Sequence, residues 1–285
     1  MNVGLVLSGG MGKGAYQIGA LRAISEFVPM EDIKCISSSS VGALNGYGYI
    51  TGKLDMVEQV WKNICSEDTR LIITKVLRSS MLQMHIKDLY APDIKLKIPF
   101  YCTLYDVTNN NVVYKNISKL DNELVPTYLK AGVAMPVLNR AVKIDGVSYY
   151  DGALVDNIPV RPLVNKKLDY IICVYFDDSA DKFESTSFDD KVIKVSFPEE
   201  KTLKHSLIFK QDDIDKMIKD GYDRTVYLLN SVFAKGYDNK EYVYKAINHL
   251  NRSNSGGGAF RLTVDVIATN LNKVTQYFAK RKVIK

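Results

Sequence analysis

Histidine is scarce: His85, His205 and His249 are the only three in 285 residues. None stands at metal-ligand spacing from a cysteine or from another histidine, so no zinc motif can be written. The four cysteines, Cys35, Cys65, Cys102 and Cys173, lie thirty or more residues apart without a CxxC pair, which excludes a disulfide framework and predicts reduced, buried thiols. No apolar run approaches the roughly 18 residues that cross a bilayer, and the opening MNVGLVLSGG lacks a basic region followed by a long apolar one. A cytoplasmic location is the expectation. A strong charge is missing too: 38 basic against 32 acidic residues leave +6, too mild for a nucleic-acid binder. The charge is uneven, however. No acid follows Asp265, so Lys273, Lys280, Arg281, Lys282 and Lys285 form a basic end suited to peripheral contact with anionic lipid, at about 1 kcal/mol per charge, or simply to solvation.

With 46% hydrophobic and 25% charged residues the composition is that of a globular protein with a large core. Asn2 to Leu7 reads as a buried strand that stops at glycines, Ala15 to Phe27 as a helix ending before Pro29, Asp32 to Ile36 as a second strand, and Val41 to Ile50 as a second helix. This is a βαβ unit with a parallel sheet. Helical patterning fills much of 55–90. Strands follow over 98–107 and 111–114 about an asparagine turn, then a helix over 123–133, and two short strands within 137–150 about Asp145-Gly146. Tyr170 to Phe176 is a buried strand, 177–190 an acidic loop, 192–195 a strand, 212–233 a long helix, and 255–258 a flexible glycine link. No repeat appears, and the expectation is one α/β domain with a C-terminal helical elaboration over about 200–285.

Three segments carry chemistry. In LSGGMGKGAYQ, Leu7 to Gln17, four glycines between a strand and a helix let backbone N–H groups face an oxyanion or phosphate, with Lys13 as a candidate anion-binding charge. The segment fails as a Walker loop, because Leu7 stands where glycine is required and Gly14 where Ser or Thr is. It half fits a dinucleotide fingerprint through Gly10, Gly12 and Ala15, but no acid ends the second strand. In ISSSSVGALNG, Ile36 to Gly46, a serine serves either as an N-cap or as the nucleophile of a tight strand-to-helix elbow. The elbow would put Ser40 at the nucleophile position and Ser38 at a usual glycine. In IDGVSYYDGALVDNIPV, Ile144 to Val160, Asp151 is either a turn residue or, partly desolvated, a general base, while Asp156 and Asn157 read as turn ligands to backbone.

The order of these segments, glycine loop, serine elbow and then Asp-Gly about 110 residues later, resembles the patatin-like phospholipase family. LKAGVAMPVL (129–138) and IPFYCTLYDVTNNNVVY (98–114) resemble that family's stretches before its DGG/DGA segment and in its central hairpin. The likeness spans about residues 2–165. It implies a three-layer α/β/α sandwich with a mostly parallel central sheet. It also implies a Ser–Asp dyad of Ser40 and Asp151, an oxyanion hole from the N–H groups of Gly9, Gly10, Met11 and Gly12, a lipid ester substrate, and no metal or organic cofactor. Two residues depart from the family pattern. Met11 replaces a loop glycine and is expected to resist positive φ while its N–H can still donate, and Ser38 brings a Cβ expected either to crowd the elbow or merely to shift its strain. Three alternatives stand beside this reading. One is a Ser–Asp–His triad in the α/β-hydrolase chain order; another is a module on the same fold that binds anionic head groups without turnover; the third is a dinucleotide-binding oxidoreductase.

Overall fold

The computed structural model describes residues 1–64, 80–136, 139–176, 189–197 and 211–253. Eight strands form one sheet: β1 (Val3–Leu7), β2 (Ile33–Ser38), β3 (Phe100–Asp106), β4 (Asn111–Asn116), β5 (Val142–Ile144), β6 (Val147–Asp151), β7 (Tyr170–Phe176) and β8 (Val192–Phe197). They run in the order β5-β6-β3-β2-β1-β7-β8, with β4 also paired to β3. The stretch from β3 to β8 is parallel, whereas β4 and β6 lie antiparallel to β3, and β5 to β6. β1 and β7 are buried at every position, which explains their unbroken apolar sequences. Asp145 and Gly146 both take positive φ, as the two-residue turn of the β5–β6 hairpin demands.

Among the described residues seven α-helices accompany the sheet: α1 (Gly14–Phe27), α2 (Val41–Ile50), α3 (Leu54–Ile64), α4 (Ser80–Leu89), α5 (Val125–Gly132), α6 (Gln211–Val232) and α7 (Lys240–Ser253). Side chains of the odd-numbered β1 positions Val3, Leu5 and Leu7 meet Leu21, Ile24, Tyr47, Leu129, Leu229, Val243 and Ile247 from these helices in one core. The opposite face presents Val6, Cys35, Ile171 and Cys173, and its covering layer is Ile158, Val160, Leu163 and Leu168, from a segment with a single short 3-10 turn at Arg161–Leu163. Flanking layers therefore lie on both faces, with the described α-helices gathered on one.

Expected and observed elements agree closely in the first half. Beyond it, the β5–β6 pair starts at Val142, and α7 carries an amphipathic pattern that the sequence reading passed over. Cys35, Cys102 and Cys173 are buried thiols outside any disulfide, as expected. Cys65, His205, most of the acidic loop, the glycine link at 255–258 and the basic end lie outside the described residues.

The long helix α6 is held against α1 by two glycines. A Cβ on Gly19 would stand 1.9 Å from the Ile218 carbonyl oxygen, and one on Gly221 would stand 2.1 Å from that of Tyr16. Alanine normally gains about 1 kcal/mol over glycine in a helix, but here backbone must move. Gly221→Ala is therefore expected to destabilise the protein by about 1–3 kcal/mol in urea unfolding.

Candidate active site

Strand β3 explains why residues 111 positions apart meet. One edge of β3 pairs with β4 from Tyr101 to Asp106, so its other edge must take both remaining partners. β2 occupies Phe100–Cys102 of that edge running parallel, and β6 occupies Leu104–Asp106 running antiparallel. Their C-terminal ends thus approach head to head, with Ser38 opposite Cys102 and Asp151 opposite Leu104, about 7 Å further along. Ser40 follows two residues after the end of β2.

Ser40 takes φ 52° and ψ −131° between β2 and α2. A serine in this region is strained by about 1–3 kcal/mol. Its side chain makes no capping bond to the first turn of α2, so the N-cap reading of the serine cluster fails at this residue. The turn is tight: the Ser39 N–H donates to the Leu7 carbonyl at 3.0 Å. A Cβ on Gly42 would stand 2.5 Å from the Leu7 oxygen and 2.8 Å from that of Ser8, so only glycine fits two residues after Ser40. Ser38 is the last residue of β2 before the elbow. Its hydroxyl turns to β3 and donates to the Tyr101 carbonyl at 2.9 Å.

Asp151 ends β6 with no solvent exposure. Its N–H donates to the Ala134 carbonyl, and its Oδ1 accepts from the Ala153 N–H, both at 2.9 Å. Burial pushes its carboxyl up to about 7, opposed by the Ser40 hydroxyl and the Ala153 N–H. The Ser40 hydroxyl thus lies close enough to favour the ionised form, yet Oδ2 has no partner of full hydrogen-bond geometry. Such loose contacts are common in free enzymes. Gly152 is required by the same packing, since a Cβ there would lie 2.4 Å from the Thr103 carbonyl carbon.

The glycine loop closes the site from the end of β1. A Cβ on Gly9 would lie 2.5 Å from Asn157 Oδ1, 2.8 Å from the Ser40 Cβ and 3.1 Å from the Ala153 Cβ, so loop, elbow and aspartate segment converge there. Met11 adopts φ 50°, against the expectation that it would resist that region. The N–H groups of Gly10, Met11 and Gly12 have no acceptor among the described residues, whereas the Gly9 N–H donates to the Asn157 carbonyl at 3.3 Å. Lys13 places its Nζ 5.8 Å from the centre of the Phe176 ring.

Three side-chain amides brace this arrangement, Gln17 and Asn45 buried and Asn157 partly buried, and sequence reading missed the role of each. Gln17 Nε2 donates to the Ser8 carbonyl at 2.7 Å, and Gln17 Oε1 accepts from Asn45 Nδ2 at 2.9 Å. Asn45 also donates to the Gly14 carbonyl and accepts from Trp61 Nε1 at 3.0 Å. Asn157 Nδ2 donates to the Gly9 carbonyl at 3.2 Å. It is a ligand to backbone as expected, but to backbone 148 residues away rather than in its own turn. The available signal was a polar amide, Asn45, in the otherwise apolar run VGALNGYGYI. Asp156 is likewise committed, accepting the Tyr114 hydroxyl at 2.5 Å.

The two described histidines stand elsewhere. His85 lies 3.8 Å from Asp88 on α4, and His249 is exposed on α7, which packs at the β8 side of the sheet. The groups acting on the Asp151 carboxyl are the Ser40 hydroxyl and the Ala153 N–H. Among the described residues, then, no histidine completes a triad.

The patatin-like phospholipase family model matches residues 5–164, more than half of the chain. An uncharacterized NTE family protein of Mycobacterium tuberculosis is 25% identical over 185 residues, covering 62% of this chain and 49% of that protein. Lysophospholipase NTE1 of Mycosarcoma maydis is 23% identical over 185 residues, covering 58% of this chain and 9% of that protein. This chain spans about half the length of its mycobacterial relatives. In fold it is similar to VipD from Legionella pneumophila, at a TM-score of 0.50 and 13% identity, over 98% of this chain and 81% of that one. The glycine loop, the serine elbow and the Asp-Gly segment all fall inside the matched span, and the chain belongs to the patatin-like phospholipase family.

Proposed function

We propose that the protein is a lipid acyl hydrolase, a phospholipase A or lysophospholipase type of esterase, working through Ser40 and Asp151. One observation carries the reading: a serine held at φ 52° on a strand-to-helix elbow, its hydroxyl facing a carboxylate with no solvent exposure. Ionised Asp151 takes the proton as Ser40 Oγ attacks the ester carbonyl carbon. The negative charge that develops on the carbonyl oxygen is met by the N–H groups of Gly10, Met11 and Gly12, each worth about 3 kcal/mol on the barrier. Gly9 frames the hole rather than donating, because its N–H is already directed to Asn157. Collapse of the tetrahedral adduct breaks the bond to the leaving alcohol, which receives the proton from Asp151, and leaves an acyl-Ser40 ester. Water then attacks that ester, giving its proton to Asp151. The fatty acid departs and the proton returns to Ser40. No step requires a metal or organic cofactor.

Family membership supports the lipid ester as substrate class. Among the described residues no helix is long and apolar enough to cross a membrane. In our reading the protein works in the cytoplasm and meets lipid peripherally, with Lys13 and the basic end as its cationic contacts. The rival reading, a head-group-binding module without turnover, rested on Ser38 and Met11. The hydroxyl of Ser38 is absorbed by β3 and Met11 adopts the loop's left-handed backbone, so neither favours it.

A fluorophosphonate probe is expected to label the wild type but not Ser40→Ala, and Ser40→Ala should lower ester cleavage at least about 10³-fold. Retained turnover in that variant would dismiss the mechanism. The base must be ionised, so kcat/KM should rise with pH as a single ionisation near 7 and level off above it, measured on a short-chain p-nitrophenyl ester. Asp151→Asn should abolish that profile and yet stabilise the fold. The folded carboxyl ionises near 7 against about 3.9 unfolded, so its stabilising contribution is complete below the unfolded value and is lost as pH rises to the folded one. The variant's advantage in urea unfolding should therefore grow from about zero at pH 4 towards ~4 kcal/mol above pH 7.

A further inference from the structure

Asn157 holds Gly9 from both sides. Its main-chain carbonyl accepts the Gly9 N–H, and its side-chain Nδ2 donates to the Gly9 carbonyl. These two bonds act on different peptide planes. The Gly9 N–H belongs to the Ser8–Gly9 peptide, whose carbonyl end is fixed by Gln17. The Gly9 carbonyl belongs to the Gly9–Gly10 peptide, and there it also accepts the Ser8 hydroxyl at 3.1 Å. In a trans peptide C=O and N–H point in opposite directions. Fixing the Gly9 oxygen on the Asn157 side therefore fixes the Gly10 N–H on the other, and that N–H has no acceptor among the described residues.

The amide is poorly matched to a purely structural task. Asn157 Oδ1 is buried without a hydrogen-bond partner and would lie 2.5 Å from a Gly9 Cβ, so the side chain leaves one polar atom unpaired in order to present Nδ2. The reverse amide orientation would set oxygen against the Gly9 carbonyl. Two donors on one carbonyl also polarise the peptide and strengthen its N–H as a donor.

We propose that Asn157, aided by Ser8, is a positioning residue for the oxyanion hole: it aims the Gly10 N–H by anchoring the carbonyl at the opposite end of the same peptide. The inference rests on the acyl hydrolase reading above and names the residue that sets the geometry of its hole.

The test is Asn157→Ala assayed on p-nitrophenyl butyrate, together with inhibition by an alkyl trifluoromethyl ketone, whose serine adduct carries the oxyanion. The expected result is a 10- to 100-fold loss of kcat with KM within about threefold, a pH midpoint still near 7, and ketone affinity weakened by the same factor as kcat. A kcat within threefold of wild type, or a loss of kcat without the matching loss of ketone affinity, overturns the proposal. Where Asn157→Ala is too unstable to assay, Ser8→Ala decides, because it removes the other donor from the same carbonyl. A parallel loss of about three- to tenfold in kcat and in ketone affinity supports the proposal, and no change overturns it. Ser40→Ala run alongside separates the two readings. Activity that survives it removes the hydrolase mechanism and this inference together, whereas activity that dies with Ser40 but ignores Asn157 and Ser8 removes this inference alone.

Discussion

A strand has two edges, and β3 must satisfy three partners. Because β4 takes one edge throughout, β2 and β6 share the other and stop against each other. Backbone hydrogen bonds thus bring together a serine from the first fifth of the chain and an aspartate from its middle, with no contact between their side chains needed to drive the fold. The rest of the site follows from this junction. The elbow must turn sharply because β2 cannot continue along an edge that β6 already occupies. Asp151 must be buried because it ends a strand inside the sheet.

Strain and desolvation at the junction are maintained by surroundings that cannot relax. Two non-glycine residues, Ser40 and Met11, hold left-handed backbone within a few residues of one another in space, at a cost of about 1–3 kcal/mol each. Against this stand contacts too close for any side chain at Gly42, Gly9 and Gly152, and a buried chain from the Trp61 indole through the amides of Asn45 and Gln17 to Ser8. Each neutral bond of that chain is worth about 1 kcal/mol when made and more when broken, since the orphaned partner stays buried. The amides act on the loop's carbonyls and leave the N–H groups of Gly10, Met11 and Gly12 open, the arrangement an anionic reaction centre needs.

In the proposed mechanism the same burial lets a carboxylate do work for which many hydrolases use histidine. An aspartate in water ionises too readily to take a proton at neutral pH. Without solvent, opposed only by one N–H and one hydroxyl, Asp151 ionises near 7, where imidazole ordinarily does. The poverty of hydrogen bonds to its carboxyl is therefore part of the chemistry.

Much of this was legible in the residues. The apolar runs of β1, β2 and β7, the glycines of the loop, Ser40 before Val41-Gly42, and Asp151 before Gly152 are local signals, because strand burial, tight turns and helix starts depend on neighbours in the chain. The Met11 expectation failed because it judged a backbone by its own side chain, while the surrounding contacts decided it. The partners of Asn157, Gln17 and Asn45 were unreadable, since an amide's partner is chosen by the fold, and Asn157 finds its own 148 residues away. The sequence by itself determined which segments become strands and helices and which residue types wait at their ends. Only the tertiary structure decided that two of those ends share one edge of β3, because pairing across a sheet is a contest for backbone hydrogen bonds that no local pattern records.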